Sequence, residues 1–343
     1  MSAAPKPSKA LLVGSSPLDS SSEFFSTVLQ TLTGRLDQLP DGETGPRKLF
    51  VAWQKSVFPI EILQPRFGGP PSGESIMKKY TLEDIRPTGY DDDAIASYAI
   101  FRELKRAEKV PKHVRFQVSL PSPLGVVRFF VEDGAICAQV EPLYEERLIQ
   151  AVKRIQEHIP PWELTIQWDV PAEIAILEYE RGGLQDKYWK PWFENPESAI
   201  LDRLGRLAKA VAPDVEMGYH LCYGNKGNVH FLEPPDMDLM VHLTNQLVQA
   251  ISESHDIAYI HMPVPKDRRD AAYFQPMAGL DLHDTELYLG LVHAHDEDGT
   301  RQRLEAAQRV YPDITGVATE CGLGRSSRED FQSILEICAS VTA

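Results

Sequence analysis

Short apolar runs alternate with longer amphipathic stretches along most of the chain. Eight runs predict strands: KALLVGSSP (9–17), RLDQLP (35–40), HVRFQVSLP (113–121), LTIQWDVPA (164–172), VEMGYHLCYG (215–224), IAYIHMPVP (257–265), LYLGLVHAH (287–295) and ITGVATECG (314–322). Several are almost continuously apolar, the pattern of strands covered on both faces in a parallel sheet. Between them, YEERLIQAVKRIQEHI places Leu148, Ile149, Val152 and Ile155 on one helical stripe. PESAILDRLGRLAKAV, DLMVHLTNQLVQAIS, GTRQRLEAAQRVY and SREDFQSILEICASV read likewise, the last opening with Ser326, Ser327, Glu329 and Asp330, good N-cap and first-turn chemistry. Eight strands alternating with helices predict an α/β fold, a (β/α)8 TIM barrel. The competing doubly wound sheet would want G-x-G-x-x-G after its first strand, where LVGSSP stands. The alternation breaks at residues 45–110, rich in Pro and Gly (FGGPPSGES) and read as an insertion, with YDDD inside it as a helix N-terminus. Residues 1–8 read as a disordered tail and 9–343 as a single barrel domain.

Composition narrows the function. With 343 residues, 43% of them hydrophobic, the chain can bury a sizeable core. Its net charge of -15 argues against nucleic acid and anionic membranes as partners. No apolar run approaches the roughly 18 residues that span a bilayer, and MSAAPKPSKA has no secretory signal pattern, so a cytoplasmic location is expected. Four cysteines (Cys137, Cys222, Cys321, Cys338) are too few for a disulfide framework; any two that meet are metal-ligand candidates first. Cys338 lies on the apolar stripe of the last helix and reads as core, and Cys137 reads as loop packing. His230, His242, His255 and His283 read as structural, and His158 as a helix end.

In a (β/α)8 barrel the active site sits at the C-terminal ends of the strands. Those ends carry Ser15 and Ser16; Asp41, Glu43 and Arg47; Gln167 and Asp169; His220 and Cys222; His261; His293 and His295; Glu320 and Cys321. In MGYHLCYGN, alternate side chains share a strand face, so His220 and Cys222 project together. Zinc accepts imidazole nitrogen and thiolate sulfur. His220, Cys222 and Cys321 form three ligands from two strands, with His261 as a fourth. The alternative is buried histidines and thiols that only pack. The Asp41–Arg47 segment is either a D-G-E-T-G turn or a set reaching the pocket. Trp189 and Trp192 follow strand four as either a lid or a packed loop.

These motifs resemble the catalytic C-terminal barrel of cobalamin-independent methionine synthase and its single-barrel relatives. YHLCYG resembles that family's H-x-C zinc strand, ATECGLGR (318–325) its later zinc-cysteine segment, and IQWDVPA (166–172) its Q-I-D-E-P-A motif. LVGSSP resembles its I-G-S-F-P opening, and LGLVHAHDEDG (289–299) the strand with its catalytic histidine. The resemblance covers about residues 9–335, in the same order. It implies Zn2+ on His220, Cys222 and Cys321. Asp169 would bind a substrate amino group, Ser15 and Ser16 its carboxylate, and His295, or His293 one pleat away, would be the general acid. Glu43 completes the catalytic candidates; Asp41, Arg47, Gln167 and Glu320 are substrate-contact candidates. Two positions depart from the family: His261 stands where it has a zinc-ligating Glu, and Val170 where its Q-I-D-E-P-A has Glu. The expectation is a zinc-dependent transferase moving a methyl or alkyl group to or from a thiol, or cleaving a C–S bond, on a small thiol or amino-acid substrate. A zinc hydrolase or C–C lyase using metal-activated water is the alternative. A non-catalytic metal-storage or binding protein is the third reading.

Overall fold

The computed structural model describes residues 6–71, 78–224, 230–252 and 254–343. Its elements run β1 (Lys9–Leu11), α1 (Ser21–Leu32), β2 (Gln38–Pro40), α2 (Tyr90–Arg106), β3 (Arg115–Pro121), α3 (Pro123–Phe130) and α4 (Gly134–His158). They continue with β4 (Leu164–Val170), α5 (Pro171–Glu180), α6 (Pro196–Ala210), β5 (Glu216–Leu221), α7 (Asp238–Ile251), β6 (Tyr259–Pro263) and α8 (Ala271–Phe274). Last come β7 (Glu286–Gly290), α9 (Glu297–Gln308), β8 (Gly316–Ala318) and α10 (Arg328–Val341). All eight strands are parallel, in the order β1-β8-β7-β6-β5-β4-β3-β2, so the sheet curls into the expected (β/α)8 barrel.

The seam between β1 and β2 carries no strand ladder. Ala10 N–H donates to the Arg35 carbonyl (2.8 Å) and Ser16 N–H to that of Gly42 (2.8 Å). Inside the barrel, the Gln117 amide donates to the Leu12 and Val13 carbonyls (3.1 and 3.0 Å), and the Gln167 amide to Val13 (2.7 Å). Ser119 Oγ also donates to Val13 (2.9 Å). These bonds satisfy carbonyls just past β1, where the ladder to β8 has ended, which a buried backbone requires.

Alternation along β4 explains its unbroken burial. Gln167 and Asp169 face the barrel interior, while Ile166 and Trp168 join the apolar layer under the helices. Across the sheet, Pro121, Asp169, His220 and His261 stand side by side in register on β3 to β6. One level lower, Gln167 pairs with Gly218 and Gly218 with Tyr259. A methyl group at Gly218 would come within 2.3 Å of the Tyr259 ring, so glycine makes room for that ring to plug the barrel. Tyr259 O–H then donates to Gln167 Oε1 (3.0 Å). α10 begins with the expected cap: the Ser327 hydroxyl accepts from Asp330 N–H (2.9 Å), and Asp330 reaches back to Ser327 N–H.

The structure differs from the sequence expectations in extent. β1, β7 and β8 stop at Leu11, Gly290 and Ala318, so Ser15, His293, His295, Glu320 and Cys321 lie in loops beyond the strands. The insertion is shorter than residues 45–110. Short 3-10 turns from Gly45 onward give way at Tyr90 to α2, the regular barrel helix, whose first turn is the YDDD run. Residues 72–77 of that insertion, and 1–5 of the expected tail, lie outside the described residues. Ser8 N–H donates to the Thr315 carbonyl, and the Pro7 carbonyl accepts from Ala343 N–H. Cys137 is buried within α4 rather than in a loop, because Asp133 caps that helix just before it. No described helix is long and apolar enough to cross a membrane.

Gly218→Ala is expected to lower stability by about 1–3 kcal/mol, because the Tyr259 ring cannot retreat without giving up its bond to Gln167. Urea denaturation of the variant beside the parent chain measures this.

Candidate metal centre at the barrel mouth

At the C-terminal mouth of the barrel, the ligand atoms of His220, Cys222 and Cys321 all lie within 4.8 Å of one another. His220 and Cys222 leave the end of β5 on one face, and Cys321 comes from the loop after β8. His220 is 2% exposed. Its Nδ1 lies 2.6 Å from His261 Nδ1, while its Nε2 is buried without a partner among the described residues. The two thiols are coupled. A hydrogen bond from the Cys222 thiol holds Cys321 well below the usual thiol value, helped by His220 and Arg325; the same bond, with burial, drives Cys222 up. One proton is therefore shared by two sulfurs beside an orphaned imidazole nitrogen, a donor set that suits zinc. His261 falls outside the trio. Its ring packs over Gly290 and the Thr319 carbonyl, and burial, then His220, push its pKa well down.

The trio opens into a cavity of about 590 Å³ with a mostly apolar lining. Ser15, Glu43 and Asp169 also line it. Asp169 Oδ1 accepts from the Gln167 amide (2.8 Å), so Gln167 orients Asp169 from below rather than touching the cavity. Burial, then the neighbouring Glu43 carboxyl, raises Asp169 well above the usual carboxylate range. Burial likewise pushes Glu43 up to about 8; Arg47 opposes the shift, and Asp41 and Cys321 add to it. Glu43 has a left-handed backbone (φ 41°), and its Oε1 would lie 2.6 Å from a Cβ at residue 14, so glycine is needed there. Two carboxyls that hold protons are thus presented beside the sulfurs, poised to ionise when a cation arrives.

Other candidates are placed elsewhere. Ser16 is fully buried in the turn, where its hydroxyl accepts from Leu18 N–H (3.4 Å). Asp41 takes both guanidinium nitrogens of Arg47 (2.6 and 3.2 Å) and the Ser97 hydroxyl (2.6 Å), so this pair braces the loop and leaves Glu43 as its cavity-facing member. His295 is exposed, with Nε2 3.1 Å from Asp330 on α10, and does not reach the cavity. His293 Nε2 meets the Val264 carbonyl (3.1 Å), and its Nδ1 lies 3.5 Å from Glu320. Burial, with Arg303 nearby, drops His293 to about 3. The other oxygen of Glu320 lies 3.2 Å from His230 Nε2, and His230 lines the cavity. Burial works against a charge on His230, but Glu320 outweighs it and raises its pKa. Sequence reasoning left His230 as structural, although its place in the loop after the H-x-C strand is a mouth position in this fold. Trp189 lines the cavity, whereas Trp192 donates its indole N–H to Glu141 (3.1 Å).

Fold and site together define a (β/α)8 barrel with a Cys2His donor cluster at the C-terminal ends of its strands. The chain is similar to a B12-independent methionine synthase from Shewanella sp. W3-18-1, solved in complex with selenomethionine. The TM-score is 0.52 at 15% identity, covering 98% of this chain and 95% of that one, a likeness of fold. No protein-family model matches the chain. No curated protein matches it either.

Behind the cavity wall, Glu173 at the start of α5 is fully buried, and burial raises it to about 7. Its folded value lies above the ordinary 4.5, so folding favours the protonated form. Stability is then greatest below about pH 4.5 and falls as pH rises towards 7. Glu173→Gln should remove this slope and be more stable than the parent at pH 8, by a few kcal/mol at most. Denaturant titrations at pH 5 and pH 8 check it.

Proposed function

We propose that the protein is a zinc-dependent enzyme that moves an alkyl or methyl group to or from a thiol. The observation that carries this reading is the trio of His220, Cys222 and Cys321, with His220 Nε2 buried and unpartnered among the described residues. Three protein ligands leave a coordination position for substrate, as catalytic zinc sites do. Zinc held there supplies a Lewis acid that keeps a substrate thiol deprotonated at neutral pH.

The chain's own groups do the rest. For His220 Nε2 to offer a lone pair, its proton sits on Nδ1 and is donated to His261 Nδ1. His261 is then a positioning residue that fixes the His220 ring, the partner that metal-bound histidines commonly have. The Asp169 and Glu43 carboxyls receive the amino group of an amino-acid-like substrate and lose their protons to it or to solvent as the ion pair forms. Ser15 and the Gly322–Gly324 loop shape the adjacent wall, the Ser15 hydroxyl accepting from Gly324 N–H. His230, held by Glu320 and facing the cavity, delivers the proton to the leaving group, the role that the family resemblance implies for His295 or His293. The fold likeness to a methionine synthase supports an enzyme of this general kind.

Purified protein is expected to hold one zinc per chain, and His220→Ala, Cys222→Ser and Cys321→Ser to lose it, by elemental analysis. Cobalt substitution should give intense thiolate charge-transfer bands; their absence would sink the two-cysteine site. His261→Gln should keep the metal at full stoichiometry but bind it about 10–100-fold more weakly. Outright loss of metal in that variant would instead make His261 a ligand. Ester or amide hydrolysis by the zinc form, with no thiol alkylation, would favour the hydrolase reading over transfer.

A further inference from the structure

The cavity has a second polar wall opposite Cys321. Arg128, in the last turn of α3, is 6% exposed and lines the cavity. Its guanidinium carbon lies 4.3 Å from the centre of the Tyr188 ring, and that of Arg66 lies 5.9 Å from it. Tyr188 O–H donates to the Arg128 carbonyl (2.7 Å), which locks the ring against α3. Arg128 Nη1 donates to the Glu132 carbonyl (3.1 Å), and its buried Nε has no partner among the described residues. Arg66 donates to the Phe129 carbonyl (3.2 Å). No ion pair among the described residues includes Arg66, Arg128 or Arg325, a third cavity-lining arginine.

This is unusual physical chemistry for the chain. Its net charge is -15, yet one cavity gathers three arginines without carboxylate partners. A guanidinium buried without a counter-ion is costly, and the cost is repaid when an anion enters. The planar fork of arginine matches a carboxylate in particular. The rest of the lining is mostly apolar and includes Val51, Ala52, Phe129, Leu184 and Phe231, with Ser122 and Asp186 among its polar members. Arg128 and Tyr188 follow β3 and β4, whereas Cys321 follows β8 on the other side of the ring.

We propose that the Arg66–Tyr188–Arg128 wall is a subsite for a carboxylate at the far end of a substrate with an alkyl or aromatic body. This names the substrate class of the cavity and rests on the transferase reading only for which end reacts. The carboxylate would pair with Arg128, Arg66 would close over it from the rim, and the body would lie along the apolar lining towards the sulfurs.

Binding of ω-phenylalkanoates with side chains of three to eight carbons, followed by quenching of the cavity-lining Trp189 and by calorimetry, tests it. The acids should bind better than their primary amides of equal length, and added salt should weaken the acids selectively. Arg128→Gln should weaken acid binding by about 30-fold or more and leave amide binding unchanged. Arg66→Gln, at the exposed rim, guards against a misfolded Arg128 variant and should give a smaller loss in the same direction. Equal affinity for acid and amide, unchanged acid affinity in both variants, or no binding by any acid would overturn the proposal. The same titration on Cys321→Ser separates the two readings: acid binding that survives without zinc supports the subsite whatever becomes of the metal centre.

Discussion

The barrel depends on closing its seam at β1. That strand has no ladder to β2, and the carbonyls of Leu12 and Val13 just past it would be buried without partners. The amides of Gln117 and Gln167, with the Ser119 hydroxyl, supply those partners from inside the ring. The same Gln167 accepts from Tyr259 below and donates to Asp169 above. One side chain therefore joins closure of the fold, filling of the barrel floor and aim of a cavity-facing carboxyl. Gly218 belongs to the same unit, since the Tyr259 ring occupies the place of its missing side chain.

Above this floor, the donors are held with unequal stiffness. His220 stands on a strand, braced by its register beside His261 and by the bond between the two rings. Cys321 stands in a loop, held because the following residues pack onto the strand-one loop: Leu323 N–H donates to the Ser15 carbonyl and Gly324 N–H to its hydroxyl. The β1 loop, fixed from below by the glutamines, thus fixes the β8 loop in turn. A metal would join a rigid half-site to a half-site positioned through that chain of contacts.

The cavity sets two kinds of polar group at its two ends. Beside the sulfurs are carboxyls whose protons are retained by burial, with Glu43 raising Asp169 further and Asp41 and Cys321 raising Glu43. On another stretch of the lining are Arg66 and Arg128, which make no ion pair among the described residues, although Asp186, which accepts from Tyr188 N–H, lines the cavity too. Each end is incomplete in a manner that a ligand of the opposite charge would complete. This arrangement argues for a substrate longer than a simple amino acid, and a cavity of about 590 Å³ has room for one.

The order and class of the elements were legible in the sequence, because fully buried parallel strands need continuous apolar runs and barrel helices need a stripe. The clustering of His220, Cys222 and Cys321 was legible too: H-x-C places two donors on one strand face, and Cys321 falls just beyond another strand. What the sequence could not contain was direction beyond the strands. His293 and His295 differ by two positions, yet the loop after Gly290 turns one towards Glu320 and the other out to Asp330. His261 shares the register row of His220, but in space its ring meets His220 Nδ1 and stays outside the cluster with the sulfurs. His230 read as structural, and nothing in the sequence singled out Arg128 or Arg66, because a guanidinium lacking a carboxylate is defined by what surrounds it in space. Periodicity determines the fold and which residue types reach the barrel mouth. Only the packing of loops against loops decided which of them share one cavity, since loop conformation follows from contacts between segments far apart in the chain.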